Sequence, residues 1–266
     1  MKCAIRYATA EWVPWRQEDA LQYVFDDGTR SEWSLVKQQE MVEFDVDSKE
    51  IELSYRPEVL DLDLSELKIC KNLRNLTIRS CNVTDIDLSP LQGLHTITNL
   101  DLQFNKLEHI DLNPLVECES LASINLDMNS LSAIDLVELP SLEMLNLASN
   151  KLSKIDLAPL SRSNLQSLNL EQNYLEEVDL NPLSHCKLLK ELILELNRIT
   201  RIDLEPLSSC QELQSLNLSK NRFQAIDLLP LRACTKLLML NLAFNKFESL
   251  DLSPLIGHKS LRNIIT

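Results

Sequence analysis

The sequence predicts an α/β, β-rich solenoid, in which coils of similar sequence stack along one axis. Two repeated patterns lead to this fold class. A triplet of an aliphatic residue, aspartate and leucine recurs at nearly constant intervals in nine copies, and a pattern of spaced leucines follows each of these after about ten residues. The aspartates of the triplets are Asp63, Asp87, Asp111, Asp135, Asp156, Asp179, Asp203, Asp227 and Asp251, at intervals of 24, 24, 24, 21, 23, 24, 24 and 24 residues.

The leucine pattern has the form LxxLxLxxNxL, as in residues 165–175. Leu168 and Leu170 are two residues apart, so both point to one face of a strand while Asn169 points to the other. Each coil therefore buries one face of a short strand. The ninth position is where the chain leaves the strand, and an inward carboxamide there can donate and accept hydrogen bonds between coils. It is held by Asn105, Asn129, Asn150, Asn173, Asn197, Asn221 and Asn245, and by Cys81 in the first full copy.

Over about residues 61–266 these patterns resemble the leucine-rich repeat family, in the variant with an IDLxPL-type convex segment. The resemblance implies a horseshoe with a parallel β-sheet on the concave side and short helical or 3₁₀ turns on the convex side. It favours protein binding over catalysis, but it does not identify a partner.

The convex segments predict short helical turns that begin at a proline. Proline follows the triplet aspartate by three residues in seven copies, where its missing N–H costs nothing at the start of a helix. Because a column of aspartates would otherwise repel itself, we expect each carboxylate to accept backbone hydrogen bonds as a cap. The fourth copy, at Asp135, lacks the proline, which predicts a flatter segment and a local change in curvature around residues 137–141.

Residues 1–60 depart from the repeat and contain all three tryptophans, Trp12, Trp15 and Trp33. We expect this segment to cap the open core of the first coil. A separate recognition module with its own aromatic patch is the alternative. Residues 16–25 fit a helix or a strand, and the alternation in residues 41–55 predicts a hairpin or a bent strand that leads into the first coil.

The last residues, 261–266, have the sequence of a tenth strand without a polar cap after it. An uncapped parallel edge is a template for pairing with another chain. Two explanations stay open: the natural protein continues beyond residue 266, or the edge is covered by self-association.

Charge and composition exclude several functions. With 40 acidic and 26 basic residues, the net charge of −14 disfavours binding to nucleic acid or to an anionic membrane. The sequence has no apolar stretch long enough to span a bilayer and no secretory leader, so we expect a cytoplasmic protein. An odd number of cysteines, seven, favours reduced thiols over a disulfide framework.

No pattern in the sequence predicts catalysis, a cofactor or a metal site. Five cysteines share one repeat position, but a linear file of thiols does not converge as a tetrahedral zinc site requires, so we interpret them as small buried hydrophobic residues. The three glycines form neither a phosphate loop nor a nucleophile elbow. The five cysteines that share one repeat position are Cys70, Cys118, Cys186, Cys210 and Cys234.

The open face of the sheet remains as a binding surface. The position between the paired leucines is often asparagine, which we interpret as a hydrogen-bonded ladder between strands. Functional differences are expected where the copies differ, at the ends of the strands. There, Phe104, Met128, Leu196 and Phe244 are apolar, and Asp127, Glu171 and Glu195 are acidic. Exposed apolar groups beside charges are typical of binding patches.

We therefore expect a non-catalytic scaffold that binds a partner protein on its concave face. Phe104, Met128, Leu196 and Phe244 would anchor the partner, while Asp127, Glu171 and Glu195 would attract a basic segment. The alternative is the repeat region of a larger signalling or regulatory enzyme whose catalytic domain lies outside this chain.

Overall fold

A computed structural model of the protein describes residues 1–14, 22–24, 30–57 and 59–266, with side chains outside 10–38, 60 and 61. Two sheets make up the fold. The larger has ten strands, whose order runs from the last strand of the chain, β14, back through each preceding strand to β6 and ends at β4. Each pair of neighbours in it is parallel. The strands are β4 (Glu50–Ser54), β6 (Asn75–Arg79), β7 (Asn99–Asp101), β8 (Ser123–Asn125), β9 (Met144–Asn146), β10 (Ser167–Asn169), β11 (Glu191–Ile193), β12 (Ser215–Asn217), β13 (Met239–Asn241) and β14 (Asn263–Ile265).

The leucines of the repeat form one continuous core behind this sheet. Leu168 in β10 pairs with Leu145 on one side and Leu192 on the other, so equivalent leucines stack in register. Leu168 and Leu170 are both fully buried, as their spacing predicts. The solenoid with a parallel sheet that the sequence predicts is thereby confirmed.

Short 3₁₀ helices line the convex side, as the prolines predict. Seven of them carry proline at the first or second position, and the leucine after each proline is buried. In the described residues the 3₁₀ helices are Ser65–Ile69, Ser89–Leu91, Asn113–Glu117, Ala158–Arg162, Asn181–His185, Glu205–Ser209, Leu229–Ala233 and Ser253–Leu255.

The triplet aspartates cap these turns. Asp87 Oδ1 accepts a hydrogen bond from the Ser89 N–H at 2.8 Å, and the same contact, to the N–H two residues on, occurs in seven further copies. In the terminal coil the Ser253 hydroxyl and N–H bind Asp251 and lower the pKa of its carboxyl group. The predicted role of the aspartates as caps is thus confirmed in eight copies.

The fourth copy is the exception. Residues 133–139 form neither a 3₁₀ helix nor a strand, so the chain passes from β8 to β9 through an extended convex segment. Leu139 still turns inward and is 4% exposed. The absence of a 3₁₀ helix there agrees with the missing proline, and the flatter shape and the change in curvature stay predictions.

The smaller sheet lies at the N-terminal end of the solenoid. Its order is β2 (Gln22–Val24), β3 (Arg30–Asp45), β1 (Lys2–Pro14) and β5 (Val59–Asp63), with antiparallel neighbours. Cys3, Ile5 and Tyr7 alternate along β1, and all three are buried in the same core cluster as the leucines of the coils.

The chain passes from one sheet to the other at residues 46–49. Residues 41–55 comprise the end of β3, a turn and β4. β3 pairs with β1 and β2, whereas β4 pairs with β6, so the chain leads into the first coil and the hairpin alternative is wrong. β4 already belongs to the large sheet although it precedes residue 61. The division into a cap of residues 1–60 and a solenoid of residues 61–266 stays a prediction.

Several N-terminal residues for which the sequence makes predictions lie outside the described residues. Trp15 and most of the segment 16–25 lie there, as do the side chains of Trp12 and Trp33, so the aromatic patch stays a prediction. The described part of segment 16–25 is β2, a strand. Among the described residues, no helix is long and apolar enough to cross a membrane.

The asparagine column joins each coil to its neighbours through buried hydrogen bonds. Asn173 Oδ1 accepts from the Leu152 N–H at 3.0 Å, and its Nδ2 donates to the carbonyl of Leu147 at 2.9 Å, both in the previous coil. Nδ2 also approaches the carbonyls of Leu170 and Glu171 in its own coil. The same arrangement recurs from Asn105 to Asn221, which confirms the predicted role of the column.

Replacing one of these asparagines should therefore be costly. Asn173→Ala leaves the Leu152 N–H and two or more carbonyls without a partner in the core, which is expected to reduce the free energy of unfolding by about 3 kcal/mol. Urea denaturation measures the change. Asn164→Ala, which removes an exposed carboxamide, is the matched control and should change the free energy by less than about 0.5 kcal/mol. Equal losses in the two variants would contradict the assigned role.

Candidate functional site

The concave face of the large sheet holds the side chains that alternate with the core leucines. Near its centre is a shallow depression of about 270 Å³, formed by β8 to β11. Met144, Glu191 and Ile193 line it together with serine and asparagine side chains. Met144 is half exposed. The depression therefore offers a partner both apolar and polar side chains.

The asparagines between the paired leucines do not form the ladder between strands that the sequence analysis proposes. Asn169 Oδ1 accepts from the Glu171 N–H, two residues on in its own chain, at 3.0 Å. Asp101, Asn125, Asn146, Asn217 and Asn241 make the same contact at 3.1 Å. Each side chain therefore satisfies a backbone donor where the strand ends, as in an Asx turn. Ile193 holds this position in β11, and its side chain has no oxygen that could accept this hydrogen bond.

Of the three acidic residues at the strand ends, Asp127, Glu171 and Glu195, the first two are in surroundings that disfavour the ionised carboxylate. Burial raises the pKa of Asp127, against hydrogen bonds from Ser149 and Met128 that lower it. Burial also raises the pKa of Glu171, and the negative charge of Glu195 adds to that effect. Asp127 Oδ1 is buried and has no hydrogen-bond partner among the described residues. A cation brought by a ligand would relieve both groups.

Glu195 differs, because it already has a cation. The Lys220 ammonium group lies 2.8 Å from Glu195 Oε1, and Asn217 Nδ2 donates to Oε2 at 2.6 Å. These contacts, led by the hydrogen bond from Lys220, lower the pKa of Glu195. Glu195 is thus held in an ion pair within the fold, and the charge of Lys220 also acts on Glu171, where it lowers the pKa against the effect of burial.

The four apolar candidates lie in a column with an unusual backbone conformation, which we call the left-handed column. All nine of its members have positive φ: Tyr55 (58°), Ser80 (56°), Phe104 (57°), Met128 (52°), Ser149 (52°), Gln172 (52°), Leu196 (58°), Lys220 (52°) and Phe244 (57°). After seven of these residues the next one, Cys81 or a buried asparagine of the column, enters the core. Phe104 N–H still bonds to the carbonyl of Asp127 in the next coil at 2.9 Å.

Large apolar residues are costly at these positions. The left-handed region disfavours any residue with a Cβ by about 1–2 kcal/mol, and glycine or asparagine would relieve that cost. Phe104, Met128 and Leu196 are 46%, 45% and 39% exposed, and Phe244 is 78% exposed, so core packing does not account for them. Strain kept at an exposed position is typical of functional sites.

The structure brings some of the candidate residues together and separates others. Phe104 and Met128 lie on adjacent coils, beside Asp127. Leu196 and Phe244 are two coils apart, with Lys220 between them. The surface is therefore a compact pair of anchors at one end and two single apolar residues at the other.

Two residues of this surface were missed in the sequence analysis. Tyr55 belongs to the left-handed column and is 71% exposed, with the Arg79 guanidinium 5.5 Å from its ring centre. It follows β4, whose Ile51 and Leu53 alternate like the repeat leucines but precede the first aspartate triplet. Met144 was missed because it lies in the strand itself, a position the sequence analysis did not compare between copies.

Four of the five cysteines that share one repeat position form hydrogen bonds between neighbouring coils. The thiol of Cys210 donates to the carbonyl of Leu183 in the previous coil at 3.3 Å, and Cys118, Cys186 and Cys234 make equivalent contacts. Burial raises the pKa of Cys210 to about 12, so it stays a thiol. Within the part of the chain that the structure describes, no three His, Cys, Asp or Glu side chains are grouped to hold a metal ion.

Comparison with known proteins agrees with this geometry. The family model described as leucine rich repeat matches residues 71–131, 97–152 and 163–223, which together cover more than half of the chain. No curated protein sequence matches significantly.

Solved structures of repeat proteins match most of the chain. A leucine-rich repeat protein of Leptospira interrogans has a TM-score of 0.67 and 23% identity, covering 83% of this chain and 60% of its own. The functional domain of InlJ from Listeria monocytogenes, described as including a cysteine ladder, has a TM-score of 0.58 and 26% identity, with coverage of 81% and 48%. In the complex of TLR13 with single-stranded RNA the values are 0.69, 24%, 82% and 32%. The chain thus spans less than two thirds of each of these proteins.

The strain in the left-handed column leads to a test on stability. Phe244→Asn should raise the free energy of unfolding by about 0.5–1 kcal/mol, because asparagine tolerates positive φ and little packing is lost. Urea denaturation of both proteins measures the difference. Ile256→Asn is the control: Ile256 is 82% exposed but has an ordinary φ of −62°, so no gain is expected. A gain in the control, or a loss at Phe244, would contradict strain as the cause.

Proposed function

We propose, from its membership of the leucine-rich repeat proteins, that the chain is a non-catalytic scaffold that binds a partner protein on its concave face. Leucine-rich repeats generally mediate protein binding, and the structure provides an open ten-stranded sheet for it. The observation that carries the proposal is the left-handed column, where Phe104 and Met128 are kept exposed in a strained conformation.

The apolar anchors support a polypeptide ligand. Phe104 and Met128 form a pair on adjacent coils, and the depression around Met144 lies on the following strands. Apolar side chains grouped inside a polar rim are the usual energetic centre of a protein interface. Leu196 and Phe244 would extend the contact toward the C-terminal coils.

Charge favours a basic segment in that ligand. The TLR13 complex shows that this fold also accommodates RNA, so the fold alone does not choose between ligand classes. Here, the net charge of −14 repels a phosphate backbone. In addition, burial raises the pKa values of Asp127 and Glu171. A lysine or arginine placed between these two carboxylates would restore their ordinary ionisation.

A catalytic role has no support in the concave residues. The depression is shallow and lined by serine, asparagine and aliphatic or methionine side chains, with a single carboxylate, that of Glu191. The Ser167 hydroxyl donates to Glu191 Oε2 at 3.0 Å, and no histidine, lysine or cysteine lines the depression among the described residues. The alternative of a repeat region that serves a larger signalling enzyme stays a prediction.

Substitution of the two central anchors tests the proposal. Phe104→Asn with Met128→Asn removes the apolar groups but keeps residues that tolerate positive φ, so the turn is preserved. The affinity for a partner recovered from native lysate is expected to fall at least about tenfold by calorimetry. Val116→Asn with Leu229→Asn is the matched control, because these two residues are 49% and 56% exposed on convex 3₁₀ turns. Unchanged affinity in the anchor variant, or an equal loss in the control, would overturn the concave face as the site.

The raised pKa values predict how binding depends on pH. A lysine-rich peptide should bind best near pH 7, where Asp127 and Glu171 are ionised, and more weakly as the pH falls through their pKa values, which lie above the ordinary 3.8 and 4.5. Fluorescence anisotropy over a pH series measures this. The Asp127→Asn, Glu171→Gln variant should bind weakly at every pH and show no such dependence.

The same variant tests the sign of the effect on stability. Since the folded protein disfavours the ionised form of both carboxyl groups, their contribution to stability decreases as the pH rises through the two pKa values. Asp127→Asn, Glu171→Gln should therefore melt at a higher temperature than the wild type at pH 7. A lower melting temperature at pH 7, or an unchanged peptide affinity, would contradict the assigned role of the acidic pair.

A further inference from the structure

Two buried thiols meet where the small sheet packs on the first coil. Cys3 lies on β1 and Cys70 directly after the first 3₁₀ helix, Ser65–Ile69, and they are 67 residues apart in sequence. Their sulfur atoms are 2.7 Å apart, and both side chains are buried at 1% and 0% exposure. The thiols of the other five cysteines each donate to a main-chain carbonyl.

Cys70 differs from the other members of its file. Cys118, Cys186, Cys210 and Cys234 each donate to a main-chain carbonyl of the previous coil. Cys70 is in the first convex turn, and the element packed against it there is β1. Its thiol therefore has a second thiol as its partner where the others have an oxygen.

From this contact we propose that Cys3 and Cys70 form a disulfide bond when the protein meets a small-molecule disulfide, and that the bond fastens the N-terminal sheet to the solenoid. The side chains are already within bonding reach, so no large movement of the backbone is needed. The remaining five cysteines, whose thiols donate to main-chain carbonyls, stay as thiols.

The reaction balances as two successive thiol–disulfide exchanges. The thiolate of one cysteine attacks a disulfide RSSR, forming a mixed disulfide and releasing RS⁻. The thiolate of the other attacks the protein-bound sulfur of the mixed disulfide, forms the Cys3–Cys70 bond and releases a second RS⁻. The two thiol protons pass through solvent to the released thiolates, so two protein thiols are oxidised and one RSSR is reduced to two RSH.

Burial sets the conditions for this reaction. Burial and the hydrogen bond with Cys3 raise the pKa of Cys70 to about 12, so the thiolate is scarce in the closed structure. Oxidation therefore proceeds when the end of β1 opens, or during folding before the pair is covered. After closure the same burial protects the bond from reduction.

The bond would reinforce a junction that now combines the buried side chains of β1 with partly exposed polar contacts. Near the pair, Ala4 N–H donates to Glu66 Oε2 at 2.7 Å, and the Arg6 guanidinium pairs with Glu66 and lies 3.9 Å from Asp63 Oδ2. These ion pairs are partly exposed and contribute little on their own. A covalent link across a loop of 67 residues would constrain the unfolded chain and hold β1 against the first coil.

Mass spectrometry of the full chain tests the proposal. The protein is incubated with oxidised glutathione, its free thiols are alkylated under denaturing conditions, and it is digested with trypsin without reduction. We expect the peptide Cys3–Arg6 joined to Ile69–Lys71, lighter than the sum of the two by about 2 Da for the two hydrogens lost. The number of alkylated cysteines should fall from seven to five. Retention of all seven free thiols, or a different cross-link, would overturn the assignment.

Thermal melting distinguishes a structural cross-link from incidental oxidation. Oxidised wild type should melt about 10 °C above the reduced protein. Cys118→Ala, which removes a thiol at the equivalent position of a later coil, should keep that difference, whereas Cys3→Ala and Cys70→Ala should abolish it. A difference that persists in Cys3→Ala or Cys70→Ala would contradict the pairing, and the peptide map of the wild type decides the question even where a variant does not fold.

Discussion

The structure depends on one buried carboxamide per coil. Where the chain leaves the strand for the core, its N–H and C=O groups lose water and must be paired. Asn173 does this with an oxygen that accepts from Leu152 and a nitrogen that donates to carbonyls of two coils. Because one side chain serves both coils, it fixes their register. The leucine columns and the rows of the concave face follow from that register.

The same turn creates the surface that we assign to binding. Bringing the asparagine inward forces the preceding residue into positive φ, where its side chain points to solvent at the edge of the sheet. Serine, glutamine or lysine fills that position in several coils. Phe104 and Met128 fill it at a cost in strain and hydration, so the architecture fixes the position but does not explain the residues. The proposed binding of a partner would account for their presence beside Asp127.

At the N-terminal end, the core of the first coil is covered by a different element. The first coil has no preceding coil to cover its core, and the inward side chains of β1, including Ile5 and Tyr7, take that place. Repetition ends there, so the contacts are specific to this junction. Cys70 is the clearest case: its repeat position calls for a small buried residue, while its partner Cys3 comes from outside the repeat.

The sequence by itself determined the solenoid, the inward leucines, the role of the Asn173 column and the aspartate caps, because each is a local pattern repeated once per coil. Only the tertiary structure decided which coils' side chains meet. It paired Lys220 with Glu195, bonded Asn169 to its own strand rather than to its neighbour, and brought Cys3 to Cys70. These contacts depend on stacking, on side-chain reach and on backbone torsion. A periodic sequence gives the position of a residue within its coil, but it does not give the conformation or the distance that turns a shared position into a contact.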